Sequence, residues 1–256
     1  MKERDVMLMP VRSEDVPLVA KWTEEWLGTA HPLAYSLTIF SSPGYTDFLQ
    51  NQLKSEQKTA GSTHLIGAYD GGQMLGFIEL RQAPDQLFIN NFCVKKEARG
   101  RQIGERLLQY TEQLAKSVGA STVGLDCFVW NGRALDKYAE SGFRETSRVH
   151  WYTRQNEWGS QTPVEFEIKN GQEADAHQHA FGFSRLHVQT EKGVMAVNRL
   201  KDSYFRLSIH EKNPEYFNIL SQLDQSRTLF LIGSEEAAEK GWNKASESVR
   251  FEKKIG

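Results

Sequence analysis

The chain has 256 residues, 39% hydrophobic and 25% charged, with a net charge of −2, the composition of an ordinary globular protein. The near-balance of charge argues against a nucleic-acid binder. The absence of any apolar run of membrane-spanning length or of an apolar leader makes a cytoplasmic protein the expectation, with no membrane partner.

In chain order, residues 6–11 read as a strand. Ser13, followed by Glu14 and Asp15, opens a helix carrying Val16, Val19, Ala20 and Trp22. Residues 27–43, rich in Gly, Pro, Ser and aromatics, read as a long irregular connection, and 45–55 as a second helix. Strands over 63–69 and 73–82 flank Asp70-Gly71-Gly72, a hairpin signal. Residues 87–94 form another strand, 101–118 a helix stopped by Gly119, 122–129 a strand, 132–141 a helix closed by Gly142, and 146–154 a strand. The order predicts an α/β fold (α+β with a mixed sheet). Residues 163–169 alternate and fit a last hairpin strand.

Residues 171–183 read as a polar linker, in which His177 and His179 are incidental because no Cys or carboxylate set completes a metal site. Strands near 184–190, 193–200 and 203–210 follow, then a helix from Asn213-Pro214 to about 224. A strand 228–232, a short helix 234–240 and a strand 247–254 complete the chain. This order repeats the later part of the first half, and Gly241-Trp242 echoes Gly142-Phe143. The predicted layout is a domain over 1–170, a linker over 171–183, and a smaller degenerate copy over 184–256 that lacks the first strand and helices. Cys93 and Cys127 lie in apolar runs and read as buried thiols.

Two segments carry chemistry. Arg99-Gly100-Arg101-Gln102-Ile103-Gly104 joins a strand to a helix, where backbone N–H groups and the helix N-terminus favour a phosphate or pyrophosphate. It lacks the Gly-Lys-Ser/Thr of a P-loop. The second is Asn131 to Phe143, in which Asn131 can cap a helix, Ala134 permits close approach, and Tyr138 lies along one side. Together with the strand Phe92-Cys93-Val94, their order and spacing resemble the GNAT superfamily of acyl-CoA-dependent N-acyltransferases over about residues 4–155. The middle glycine of that family's phosphate loop is Gln102 here.

The resemblance implies acetyl-CoA as co-substrate, no metal, and transfer of an acetyl group to a small-molecule or peptide amine. It implies that the backbone of Phe92, Cys93 and Val94 pairs with the pantetheine arm, that Arg99 to Gly104 hold the pyrophosphate, and that Asn131 contacts the cofactor arm. Tyr138 would then protonate the leaving thiolate. A phenol, neutral at pH 7, suits that role. Glu79 is the candidate base, directly or through water, and an exposed strand-end carboxylate is its alternative reading. Trp26, His31, Tyr35 and Tyr45 are candidate substrate-wall residues. The second half is expected to act as a built-in structural partner within a monomer. The competing function is a non-catalytic acyl-CoA-binding or assembly module.

Overall fold

The computed structural model describes residues 6–54, 61–156, 163–208, 214–233 and 241–256. In chain order its regular elements begin with β1 (Met7–Pro10), α1 (Val16–Thr23), α2 (Pro32–Ser36) and α3 (Tyr45–Lys54). Next come β2 (Thr63–Asp70), β3 (Gln73–Gln82), β4 (Gln86–Val94), α4 (Ile103–Ser117), β5 (Thr122–Phe128) and α5 (Gly132–Glu140). The chain continues with β6 (Arg144–Arg154), β7 (Glu167–Ile168), α6 (Gly171–Phe181), β8 (Phe183–Thr190), β9 (Gly193–Leu200) and β10 (Tyr204–Ser208). It ends with α7 (Pro214–Leu223), β11 (Thr228–Gly233) and β12 (Asn243–Lys254). The fold is mixed α+β, as expected.

Two compact units share these elements. The first comprises Met1–Glu25, Phe48–Ser147 and Ser248–Gly256; the second comprises Trp26–Asp47 and Arg148–Glu247. The units are therefore not consecutive stretches, and the expected boundary near 170 gives way to a path that changes unit four times.

In the first unit the strands run β1-β2-β3-β4-β5, followed by the 248–254 part of β12. All neighbours are antiparallel except β4 and β5. One face carries Ile66, Ile78, Leu80, Leu87 and Ile89, which pack with Ile103, Leu107 and Leu108 of α4 and with Val249 and Phe251 of β12. The period of buried positions in α4 is the 3.6-residue period of its sequence, which is why this helix was legible. The other face holds α1, whose Trp22 stacks on Phe77 at 6.1 Å between centroids.

In the second unit the order is β6-β11-β10-β9-β8-β7, antiparallel except for β10 and β11. Its core joins Tyr152, Val188, Val197, Phe205 and Leu229 to Tyr216, Ile219 and Leu220 of α7.

Three expectations are corrected here. Residues 171–181 are a helix, α6, ended by Gly182 at φ +76°. It escaped notice because only Ala174 is buried, so no apolar stripe marks it. The second half also has a first strand, since β7 pairs with β8. Finally, 27–43 is not a simple connection. It contains α2 and belongs to the second unit, where Leu37 packs with Leu200 and Phe230 and Lys201 Nζ donates to Ser41 Oγ at 3.0 Å. A Cβ on Gly44 would lie 2.1 Å from the Ala180 carbonyl oxygen, so only glycine permits α6 to approach this segment. The short helix read over 234–240 lies outside the described residues.

Candidate active site

β4 and β5 pair in parallel from Gln86↔Thr122 to Ile89↔Leu125 and no further. A bulge lies at this point. Glu79 faces Asn91 and Leu80 faces Ile89, leaving Asn90 as the extra residue of β4. Such an insertion bends and twists a strand. Beyond it, Asn90–Val94 and Asp126–Phe128 have separated.

The backbone direction beyond the bulge follows from alternation. Lys95 N–H donates to the Leu75 carbonyl at 2.9 Å, and Cys93 and Asn91 stand opposite Phe77 and Glu79. In an antiparallel ladder alternate residues turn their polar groups to the same neighbour. The groups of Cys93 therefore face β3, and those of Phe92 and Val94 face the opening. Of the three backbone positions expected to meet an extended ligand, two point into the gap and Cys93 does not.

Next, Lys96–Ala98 form a 3-10 turn, and Gly100 and Gln102 both take left-handed backbone, φ +84° and +56°. Gln102 thus adopts the conformation that a glycine would take without strain. The amides of Gly100 to Glu105 make no hydrogen bond among the described residues. They crown the N-terminus of the 15-residue α4, where the helix dipole adds positive potential. Arg101 Nη2 donates to Asp70 Oδ2 at 2.7 Å, and Arg99 makes no ion pair among the described residues. A Cβ on Gly104 would lie in ordinary van der Waals contact with the Phe92 ring at 3.4 Å and Val94 Cγ2 at 3.8 Å, so the helix start packs close to β4 without the spacing itself requiring a glycine.

On the β5 side, the backbone carbonyl of Asn131 accepts the amides of Ala134 and Leu135. Its side chain makes no capping bond, contrary to expectation. Ala134 is half-buried against the core. Tyr138 is 9% exposed, its ring 6.4 Å from Phe92, 5.8 Å from Phe143 and 6.2 Å from Phe251. Its hydroxyl has no hydrogen-bond partner among the described residues. Burial, helped by the nearby Cys127 thiol, pushes its pKa well above that of a free phenol. Burial likewise pushes the Cys93 thiol up to about 11, against the opposing charge of Arg99, and the Cys127 thiol up to about 12.

Glu79 is 0% exposed, not a strand-end surface carboxylate. Its Oε1 accepts from Arg81 Nη2 at 3.1 Å and from Asn90 Nδ2 at 2.8 Å. The four candidate wall residues fall in the second unit. Tyr45 is 1% exposed with its ring 5.3 Å from Phe40, which makes it a core residue rather than a wall. Tyr35 donates its hydroxyl to the Phe40 carbonyl at 3.2 Å, His31 precedes α2, and Trp26 is half-buried in the turn after α1. Thr23, Arg81 and Phe251 were missed. Thr23 and Arg81 have no local signature, and Phe251 is distant in sequence.

The Acetyltransferase (GNAT) family model matches residues 17–143, a span that includes the parted strands, the amide crown and Tyr138. Residues 17–143 belong to the GNAT acetyltransferase family. Over the full chain, likeness in fold supports a two-half GNAT arrangement. A tandem GNAT protein from the clavulanic acid biosynthesis pathway superposes with a TM-score of 0.64 at 12% identity, covering 98% of this chain and 99% of that one. A GCN5-related N-acetyltransferase from Sphaerobacter thermophilus gives 0.57 at 13% identity, covering 98% and 96%. At these identities the likeness concerns fold. No curated protein matches the chain in sequence. No group of three or more metal-ligating side chains occurs among the described residues, and no helix among them is long and apolar enough to cross a membrane.

Proposed function

We propose that the chain transfers an acyl group, acetyl by family precedent, from acyl-CoA to a primary amine by direct attack within the first unit. The observation that carries this reading is Tyr138, a buried residue whose hydroxyl has no hydrogen-bond partner among the described residues and whose ring packs on Phe92 beside the parted ends of β4 and β5. A hydroxyl so placed has a proton to give.

The residues fit acetyl-CoA. Six unpaired amides and Arg99 suit a pyrophosphate, the open groups of Phe92 and Val94 suit the amide-bearing pantetheine arm, and the Asn131 side chain can reach the same arm. Bound there, acetyl-CoA supplies the thioester that the amine attacks. The Val94 N–H steadies the charge that develops on the thioester oxygen. Tyr138 donates its proton to the departing sulfur, which a neutral phenol does at physiological pH. Glu79 is sealed from solvent, so it takes the amine's proton through water rather than by contact. The raised thiol pKa values of Cys93 and Cys127 argue against an acyl-cysteine route.

The second unit serves as a structural partner. Its β10 pairs with β11 from Tyr204↔Thr228 to Ser208↔Ile232, the whole described length of β10. The test is release of CoA thiol from acetyl-CoA with a panel of primary amines. Binding of acetyl-CoA without release for any amine would mark a non-catalytic acyl-CoA module instead.

A further inference from the structure

The face of the first unit's sheet opposite α4 carries a buried polar cluster that packing does not require. Thr23 Oγ1 donates to the Val19 carbonyl at 2.7 Å, so its only hydrogen is committed. The bond it shares with Asn91, also 2.7 Å, must therefore be donated by Asn91 Nδ2. This fixes the amide orientation and turns Asn91 Oδ1 the other way. Asn91 is 4% exposed, and Oδ1 is buried without a hydrogen-bond partner among the described residues. A buried acceptor of this kind is costly unless something donates to it, and an ordered internal water is the usual donor.

The place matters. Asn91 stands directly opposite Glu79 in the β3–β4 ladder, so the two side chains lie on the same sheet face as cross-strand neighbours. The Asn90 bulge adjoins them, and the open backbone of Phe92 and Val94 follows at once.

We infer that Asn91 Oδ1 holds an internal water that links the acceptor amine's site to Glu79. The inference rests on the acyltransfer reading above. As the amine nitrogen bonds to the acyl carbon, it loses a proton to this water, which passes one of its own to Glu79. Tyr138 gives its proton to the leaving sulfur. Glu79 then returns its proton through the same water and Tyr138 regains one, so the balance is amine plus thioester to amide plus thiol. Asn91 acts through the water and is a positioning residue. Its amide orientation is fixed in turn by Thr23.

Two measurements on the full chain test this. A crystal structure of the ligand-free protein that resolves ordered water should show one at about 3 Å from Asn91 Oδ1. A dry Oδ1 overturns the inference whether or not the chain proves to be an acyltransferase. In kinetics, Asn91→Leu and Asn91→Asp both lose the bond to Thr23, but only Asp keeps an acceptor. Asn91→Leu should lower kcat by roughly 10-fold or more with the KM for acetyl-CoA unchanged, and Asn91→Asp should recover most of it. Equal kcat for Asn91→Leu and the parent chain overturns the role, as does a loss confined to KM. Absence of thiol release from the parent chain itself would instead overturn the acyltransfer reading on which the role depends.

Discussion

Phe251 of β12 lies against Tyr138 of α5 with ring centroids 6.2 Å apart, so a strand that follows the whole second unit in sequence walls the first unit's tyrosine. The same strand is fastened elsewhere. Lys253 Nζ donates to the Ser141 carbonyl at 2.9 Å and pairs with Glu112 at 2.6 Å, and Arg250 Nη2 donates to Asp126 at 2.7 Å. A fragment of residues 1–170 lacks all of this. It should be poorly soluble or self-associated, with weak activity, by light scattering and thiol-release assay. A stable, fully active monomeric fragment would refute the structural role given to the second half. In the full chain, Phe251→Ala at a 6%-exposed site should cost about 3 kcal/mol or more in denaturant unfolding.

Tyr138→Phe removes a hydroxyl that bonds nothing among the described residues, so the melting temperature should hardly change. Turnover should fall by about 10²- to 10⁴-fold while the acetyl-CoA dissociation constant stays within a few-fold. Stopped assays and calorimetry measure the two separately. Unaltered kcat, where chemistry limits the rate, would reduce Tyr138 to a packing residue.

Gln102 sits at φ +56°, where a non-glycine side chain is strained. Gln102→Gly relieves that strain but adds freedom to the unfolded chain, leaving a net gain of about 0.5 to 1 kcal/mol. Gln102→Val, β-branched, should lose stability and weaken acetyl-CoA binding together, since both depend on the loop's shape. Thermal melts and calorimetry on the two variants check the signs. Equal melting temperatures would mean that the loop relaxes out of the left-handed conformation.

Cys93 and Cys127 respond to pH in a calculable direction. Folding raises their pKa values to about 11 and about 12. The folded state thus holds these protons more tightly than the unfolded state. The resulting stability is whole below the ordinary thiol pKa of about 8.5, and it is lost as pH rises from there through about 11 for Cys93 and about 12 for Cys127. At pH 8 iodoacetamide should alkylate either thiol at least ~100-fold more slowly than an exposed one, with urea abolishing the difference. Rapid alkylation of the native protein would contradict their burial.

The local signals in the sequence were reliable wherever one segment settles its own structure. Asp70-Gly71-Gly72 forms its hairpin, and the apolar stripe of α4 marks a helix within two residues of expectation. Arg99 to Gly104 and Asn131 to Phe143 flank the parting of β4 and β5. What stayed hidden depends on partners. The alternation in β6 and β12 says strand, but nothing in Tyr152 or Val249 says that one pairs with Leu231 and the other with Cys127. α6 was unreadable because its fit against Gly44 is steric rather than apolar. Asn131 had the chemistry of a helix cap and does not serve as one, because residue type offers a cap without obliging it.

The path of the chain between its units also sets an order of events during synthesis. At about 5–20 residues per second, Tyr138 leaves the ribosome several seconds before Phe251 and Lys253. Throughout that interval every residue of the family-matched segment already exists, yet β5 has no β12 beside it and Tyr138 lacks one of its aromatic walls. A nascent chain halted there carries the whole family-matched segment with one edge of β5 unpaired, and only the arrival of residues 248–254 covers that edge.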